Sequence, residues 1–173
     1  MSTSSPSAIR YTPLGFNLWR GDLVPMPSAH RHDEIELGVL SRGANVLLFG
    51  GDRLDIPAGQ LTVFWGAIPH QVIAVSGQPY VYSLTLPLAW VLAWNLPAPF
   101  IHSLLCGRVI QTPRADRHGD PIAAMERWAA DLARRSREDE EIVLLELQAR
   151  LRRLAQRPSP PHPPPGPSRG LDP

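Results

Sequence analysis

Between residues 14 and 86, short runs rich in Val, Ile, Leu, Phe and Tyr alternate with turn residues at regular intervals, a pattern that predicts a sandwich or barrel of short strands. A first strand is expected over 14–19. Pro25 and Pro27 separate it from a second, placed at about 32–40, in which Ile35, Leu37 and Val39 take the parity opposite to His32 and Glu36. Because successive side chains on a strand point to opposite faces, both faces of this strand should be covered. The clearest hairpin signal is Gly50-Gly51 between Asn45 to Phe49 and Arg53 to Ile56, since consecutive glycines supply the positive φ angles of a tight turn. Strands over 61–65 and 71–75 follow, and Ser76-Gly77-Gln78-Pro79 turns the chain into a strand over 80–86.

After Leu86 the period becomes helical. Compact apolar segments at 88–96 and 100–105 read as two short buried helices, with a return to strand at 107–111. Asp120-Pro121 has the form of an N-cap and first helical position, opening a helix to about Arg135. Ser136 with Asp139 three residues on caps another, where acids at 138–141 and arginines at 150, 152, 153 and 157 complement the dipole at each end. Leu144, Leu147, Leu151 and Leu154 form a stripe along it that predicts a seam against another helix. The proline-dense run from Pro158 cannot build a packed element. Four regions result: a loose arm at 1–12, a barrel with a short helical insert at 13–112, a helical segment at 113–157 and a Pro-rich disordered tail at 158–173.

Composition narrows the class. At 173 residues and 43% hydrophobic, the chain can bury one core. Its single cysteine, Cys106, excludes an internal disulfide. Pro87, Asn95, Pro97, Pro99 and His102 interrupt the apolar stretch after Leu86 too often for a membrane span, and the first residues lack a signal-peptide layout, so a cytoplasmic protein is expected. A net charge of +1 offers no basic field for nucleic acid.

The chemistry concentrates in His30-Arg31-His32-Asp33-Glu34-Ile35-Glu36. Alternation puts His30, His32 and Glu36 on one face, and a neighbouring strand carrying His70 would bring a third imidazole beside them. Imidazoles with a carboxylate suit a divalent transition metal such as Zn, Mn, Fe or Ni, and serve equally as hydrogen-bonding groups for a polar organic ligand. Trp65, near His70 in sequence, is a candidate stacking wall for a sugar ring; Trp90 and Trp94 share one face of a short helix by their spacing. For all three tryptophans the competing role is core packing.

These spacings resemble the cupin motifs. His30, His32, Glu36 and Gly43 fit every interval of the first; Gly59 to His70 keeps the interval of the second, with Trp65, Ala67 and Ala74 where that motif has Pro, Gly and Asn. Over residues 10–157 the chain resembles the amino-terminal half of AraC-type transcription regulators, in the branch that includes the regulator of melibiose utilisation. The resemblance is carried by His30-Arg31-His32 with Glu36, Leu61 to Trp65 leading to Pro69-His70-Gln71, Leu86-Pro87-Leu88 with Trp94, and Gly107 to Ile110. It implies a mainly β cupin jelly-roll barrel followed by C-terminal α-helices, sensing a small effector, often a sugar, and forming a homodimer through those helices. His30, His32, Glu36, Trp65 and His70 are the expected ligand-binding residues, and His30, His32, Glu36 and His70 the candidate metal ligands, with no cofactor required. No helix-turn-helix pattern occurs in the 173 residues, so direct DNA binding by this chain is not expected. The alternative is a small metal-dependent cupin enzyme of isomerase or dioxygenase type.

Overall fold

A computed structural model describes residues 9–113 and 119–156. The expected proline-rich tail and most of the expected arm lie outside these residues. Among the described residues eight strands form one sheet: β1 (Arg10–Tyr11), β2 (Asn17–Asp22), β3 (His30–Arg31), β4 (Ile35–Phe49), β5 (Asp52–Pro57), β6 (Thr62–Trp65), β7 (His70–Leu86) and β8 (Ile110–Gln111). Four helices interrupt or follow them: α1 (Leu88–Ala93), α2 (Ala98–Leu105), α3 (Pro121–Ala133) and α4 (Arg137–Ala155). The result is a cupin-type jelly roll with helices packed on its outside.

The frame is the antiparallel pair of long strands β4 and β7, in register from Ile35↔Leu86 to Phe49↔His70. Two strands had been expected in place of β7; the Ser76–Pro79 turn is instead a bend within one strand, with Gly77 and Gln78 at positive φ. Opposite it, β4 shifts register between Leu40 and Arg42 and again between Arg42 and Ala44. Gly43 sits at φ 73°, and a Cβ there would collide with the backbone of Ser76 and Pro79, so only glycine lets the two bends nest.

The bend reverses which residues face inward. Before it, Ile35, Leu37 and Val39 pack outward with Val63, Leu84 and Leu86 against Val91, Phe100, Leu104, Met125, Trp128, Leu147 and Leu151 of the helices. Beyond it, Leu47 and Phe49 point into the barrel and pack with Leu40, Ile56, Phe64, Val72 and Val81. The chain thus has two apolar clusters, one between sheet and helices and one lining the barrel.

Gly50 and Gly51, at φ 58° and 98°, close the β4–β5 hairpin as expected. The Asp120 carboxylate accepts from the Ile122 N–H, and the Ser136 hydroxyl accepts from the Asp139 N–H, which starts α3 and α4 where the capping pattern placed them. Two expectations change and a third holds in part. The end of the supposed loose arm is tied down, because β1 pairs in parallel with β3 and Thr12 N–H donates to the Arg31 carbonyl. The strand expected over 14–19 is β2 and begins at Asn17, since Gly15 holds φ 66° just before it. Of the α4 stripe, Leu147, Leu151 and Leu154 are buried within this domain together with Val143, while Leu144 is only partly covered; the seam is made with the chain's own α3 and sheet.

Candidate functional site

The histidine stretch is not one strand. His30 and Arg31 form β3, paired with His70 of β7, and the chain breaks at residues 32–34 before β4 begins at Ile35. The break has a cause: His32 N–H donates to the Gly66 carbonyl at 2.9 Å and Gly66 N–H donates to the Glu34 carbonyl at 2.9 Å, which couples the stretch to the β6–β7 turn. His30, His32 and Glu36 therefore come together through a kink, although alternation along one strand had been the expected route.

His30, His32 and His70 each offer a ring nitrogen, all within 4.8 Å of one another. The rings of His30 and His70 stand 4.3 Å apart between centroids. One oxygen of Glu36 lies 3.2 Å from His32 Nε2 and 3.8 Å from His70 Nε2, and its other oxygen accepts a 2.9 Å hydrogen bond from the Ser83 hydroxyl. His70 Nδ1 donates to the Ile68 carbonyl at 2.8 Å. A carbonyl only accepts, so Nδ1 carries the proton and Nε2 presents its lone pair to the cluster, the tautomer a metal or a hydrogen-bond donor requires.

Electrostatics disfavour the charged form of His30 and His70 and favour that of Glu36. Burial, with His70 alongside, pushes the His30 imidazole down to about 4. Burial likewise holds His70 below the ordinary histidine range, against the pull of Glu36. For Glu36 burial raises the carboxyl, but the hydrogen bond to His32 and the neighbouring His70 outweigh it and leave it below the usual carboxylate range.

Two residues of the cluster were not singled out from sequence. Glu34, buried, brings one carboxylate oxygen to 3.2 Å from His32 Nδ1, while its other oxygen accepts from the Leu14 and Gly15 N–H groups at 3.1 and 2.7 Å. It shares the parity of His32 and Glu36, a signal present in the motif. Gly66 gives room: a Cβ there would fall among the ring atoms of His32. Nothing local in the sequence marks that requirement, because it arises from a residue on another strand.

The cluster sits beside a cavity of about 570 Å³ inside the barrel, which His30, Glu36 and His70 line. Asn17, Trp19 and Ser83 border its more exposed part, whereas Leu40, Leu47, Ile56, Phe64 and Val72 form buried walls. Trp65 does not line it. Its cross-strand partner is Ile35, so it shares the outward face, packs against the helix-side core and donates its indole N–H to the Asp33 carbonyl at 3.2 Å. Its neighbours Phe64 and Thr62, opposite Glu36 and Gly38, hold the inward positions. Trp90 packs on Phe16, and Trp94 packs partly buried against the helix-side core; neither lines the cavity.

Residues 22–155 match the family model described as AraC-like ligand binding domain. The chain belongs to this family. It is 25% identical over 130 residues to the melibiose operon regulatory protein of Escherichia coli strain K12, an alignment covering 75% of this chain and 42% of that protein. The chain thus spans less than half the length of the curated relatives it matches. A crystal structure of ToxT from Vibrio cholerae strain SCE256 superposes with a TM-score of 0.54 at 9% identity, over 84% of this chain and 57% of that one, which shows the shared fold. The curated relatives are operon regulatory proteins, and the matched family is a ligand-binding domain, not an enzyme family. No helix among the described residues is long and apolar enough to cross a membrane.

Proposed function

We propose that this domain senses a small-molecule effector for a transcription regulator and that the effector occupies the barrel cavity. The observation that carries the reading is the cavity itself: at about 570 Å³ it has the volume of a typical small-ligand site, with convergent polar groups on one side and apolar walls behind them. A sugar-like effector, suggested by the likeness to a melibiose regulator, would find hydroxyl partners in Asn17, Glu36, Ser83 and Thr85. The apolar walls favour a glycoside that buries its aglycone. Thermal unfolding with a panel of α-galactosides, free and aryl-linked, tests this: a ligand at a hundred times its Kd stabilises by about 2.7 kcal/mol. No shift from any of them in wild type, or an equal shift in a Ser83→Trp variant that fills the mouth, rejects the sugar reading.

His30, His32, His70 and Glu36 also fit a divalent transition metal, since three ring nitrogens already converge and the His70 tautomer presents a free lone pair. Bound there, the ion would supply an anchor for an oxygen of the effector. Zinc titration followed by elemental analysis should find one equivalent in wild type and none in His70→Ala.

For homodimer formation we look to the outer face of α4. Its inner stripe is already used within the domain, whereas Ile142 and Leu145 remain 44% and 65% exposed. Sedimentation of Leu145→Glu should show a monomer where wild type shows a dimer.

A further inference from the structure

We propose that the effector is elongated, with a hydrogen-bonding group at its buried end as well as at the histidine end, and that Asn45 receives the buried one. This rests on the proposed role of the cavity and specifies the chemical class that fits it.

Two polar side chains stand among the apolar walls. Asn45, 9% exposed, and Thr62, 3% exposed, both line the cavity, and neither the Asn45 Oδ1 nor the Thr62 Oγ1 has a hydrogen-bond partner among the described residues. Leaving such a group unmatched costs about 1–3 kcal/mol, so a strand position of this kind normally carries Val or Leu. Their neighbours are apolar: Asn45 is paired with Ile56 on one side and Val75 on the other, and Thr62 lies beside Phe64 one inward step along β6. No described residue satisfies either oxygen, whereas polar groups of a ligand in the cavity would, Thr62 nearer the Phe64–Glu36 pair and Asn45 at the far end.

The register sets the length. His70, whose Nε2 is the free acceptor at the other end, pairs with Phe49, and Asn45 is four residues earlier on the same inward face of β4. At about 3.3 Å per residue this separates the two polar stations by about 13 Å. Leu47, Val72 and Ile56 lie between them. A molecule that fits has an apolar middle of seven or so methylenes, or an aromatic ring with short arms, and hydroxyl or amide groups at both ends.

The probes are 1-octanol and 1,8-octanediol, which differ only in the far hydroxyl, titrated into wild type, Asn45→Leu and Asn45→Val and followed by calorimetry. In a purely apolar cavity the extra hydroxyl weakens binding, by about tenfold or more. The expected result is that wild type binds the diol at least as tightly as the monoalcohol, and that Asn45→Leu and Asn45→Val each prefer the monoalcohol by tenfold or more. Asn45→Val is the smaller, strand-compatible change, so it reports even if Asn45→Leu fails to fold. A tenfold preference of wild type for the monoalcohol, a preference that neither variant changes, or no binding of either alcohol overturns the inference. The first two of these leave the cavity as an effector site intact, and the galactoside screen decides that reading separately.

Discussion

Gly66 makes room for His32: a methyl group on this glycine would overlap the imidazole, which is fully buried and held between Glu34 and Glu36. One backbone position on the β6–β7 turn thereby sets where the central histidine of the cluster can be.

Gly66→Ala should displace the ring, because a fully enclosed imidazole has no free volume to move into. Overpacking of this kind costs about 1–3 kcal/mol. Urea denaturation should show a midpoint shifted down at unchanged slope, and zinc uptake by the cluster should fall in the same variant. An unchanged midpoint would mean that the turn yields instead.

Glu34 links the cluster to the segment entering β2. Glu34→Ala strands the Leu14 and Gly15 N–H groups and removes the carboxylate beside His32, for an expected loss of about 2 kcal/mol. Glu34→Gln keeps the acceptor for the two N–H groups and should lose less. Amide hydrogen exchange reads the difference: protection at residues 14 and 15 is expected to collapse in the alanine variant and persist in the glutamine one.

Acid should destabilise the domain before its carboxylates titrate. His30, pushed to about 4, and His70, held below the ordinary range, stay neutral when folded, whereas in the unfolded chain they take up protons near the ordinary value of 6.5. Their contribution is complete above about pH 6.5 and is lost as pH falls through the folded values. Solvent screening of the partly exposed His30 limits the size, so about 1–2 kcal/mol is expected between pH 7 and pH 5, or roughly 3–6 °C in Tm. Replacing His70 with Gln should flatten this slope; a slope that does not change assigns the acid sensitivity to other groups.

Glu146 clasps α3 to α4. One of its oxygens accepts from the buried Trp128 indole N–H at 2.7 Å and from Arg127 at 2.8 Å. The ion pair to Arg127 is half exposed and worth little, but Glu146→Ala leaves the indole N–H inside the core without its acceptor. A loss of about 1–2 kcal/mol in denaturation is expected, against a few tenths for Arg127→Ala. Equal losses in the two variants would contradict this division.

Much of the architecture is written locally. The Gly50-Gly51 hairpin and the caps at Asp120 and Ser136 depend on residues within a few positions of one another, and each occurs where its chemistry predicts. Glu34 was legible by parity but had no visible partner, since the groups it binds belong to residues 14, 15 and 32 in three separate stretches. Trp65 was misplaced for a related reason. Closeness in sequence to His70 says nothing about the face a side chain takes, and its pairing with Ile35 turns it outward. Trp19 borders the cavity in its stead, on a strand whose register against Ser83 no local signal encodes.

By itself the sequence determined the helix segments and starts, the β4–β5 hairpin, most of the strand-forming stretches and the set of imidazoles and carboxylates available for one site, because these follow from backbone preference and spacing along a continuous segment. Tertiary structure alone decided which side chains face the cavity. The register shifts at residues 40–44 change the inward parity of β4 part-way along it, from Glu36, Gly38 and Leu40 to Asn45, Leu47 and Phe49. A bulge moves every later side chain to the opposite face, and whether one forms depends on how Gly43 packs against Ser76 and Pro79 on a distant strand.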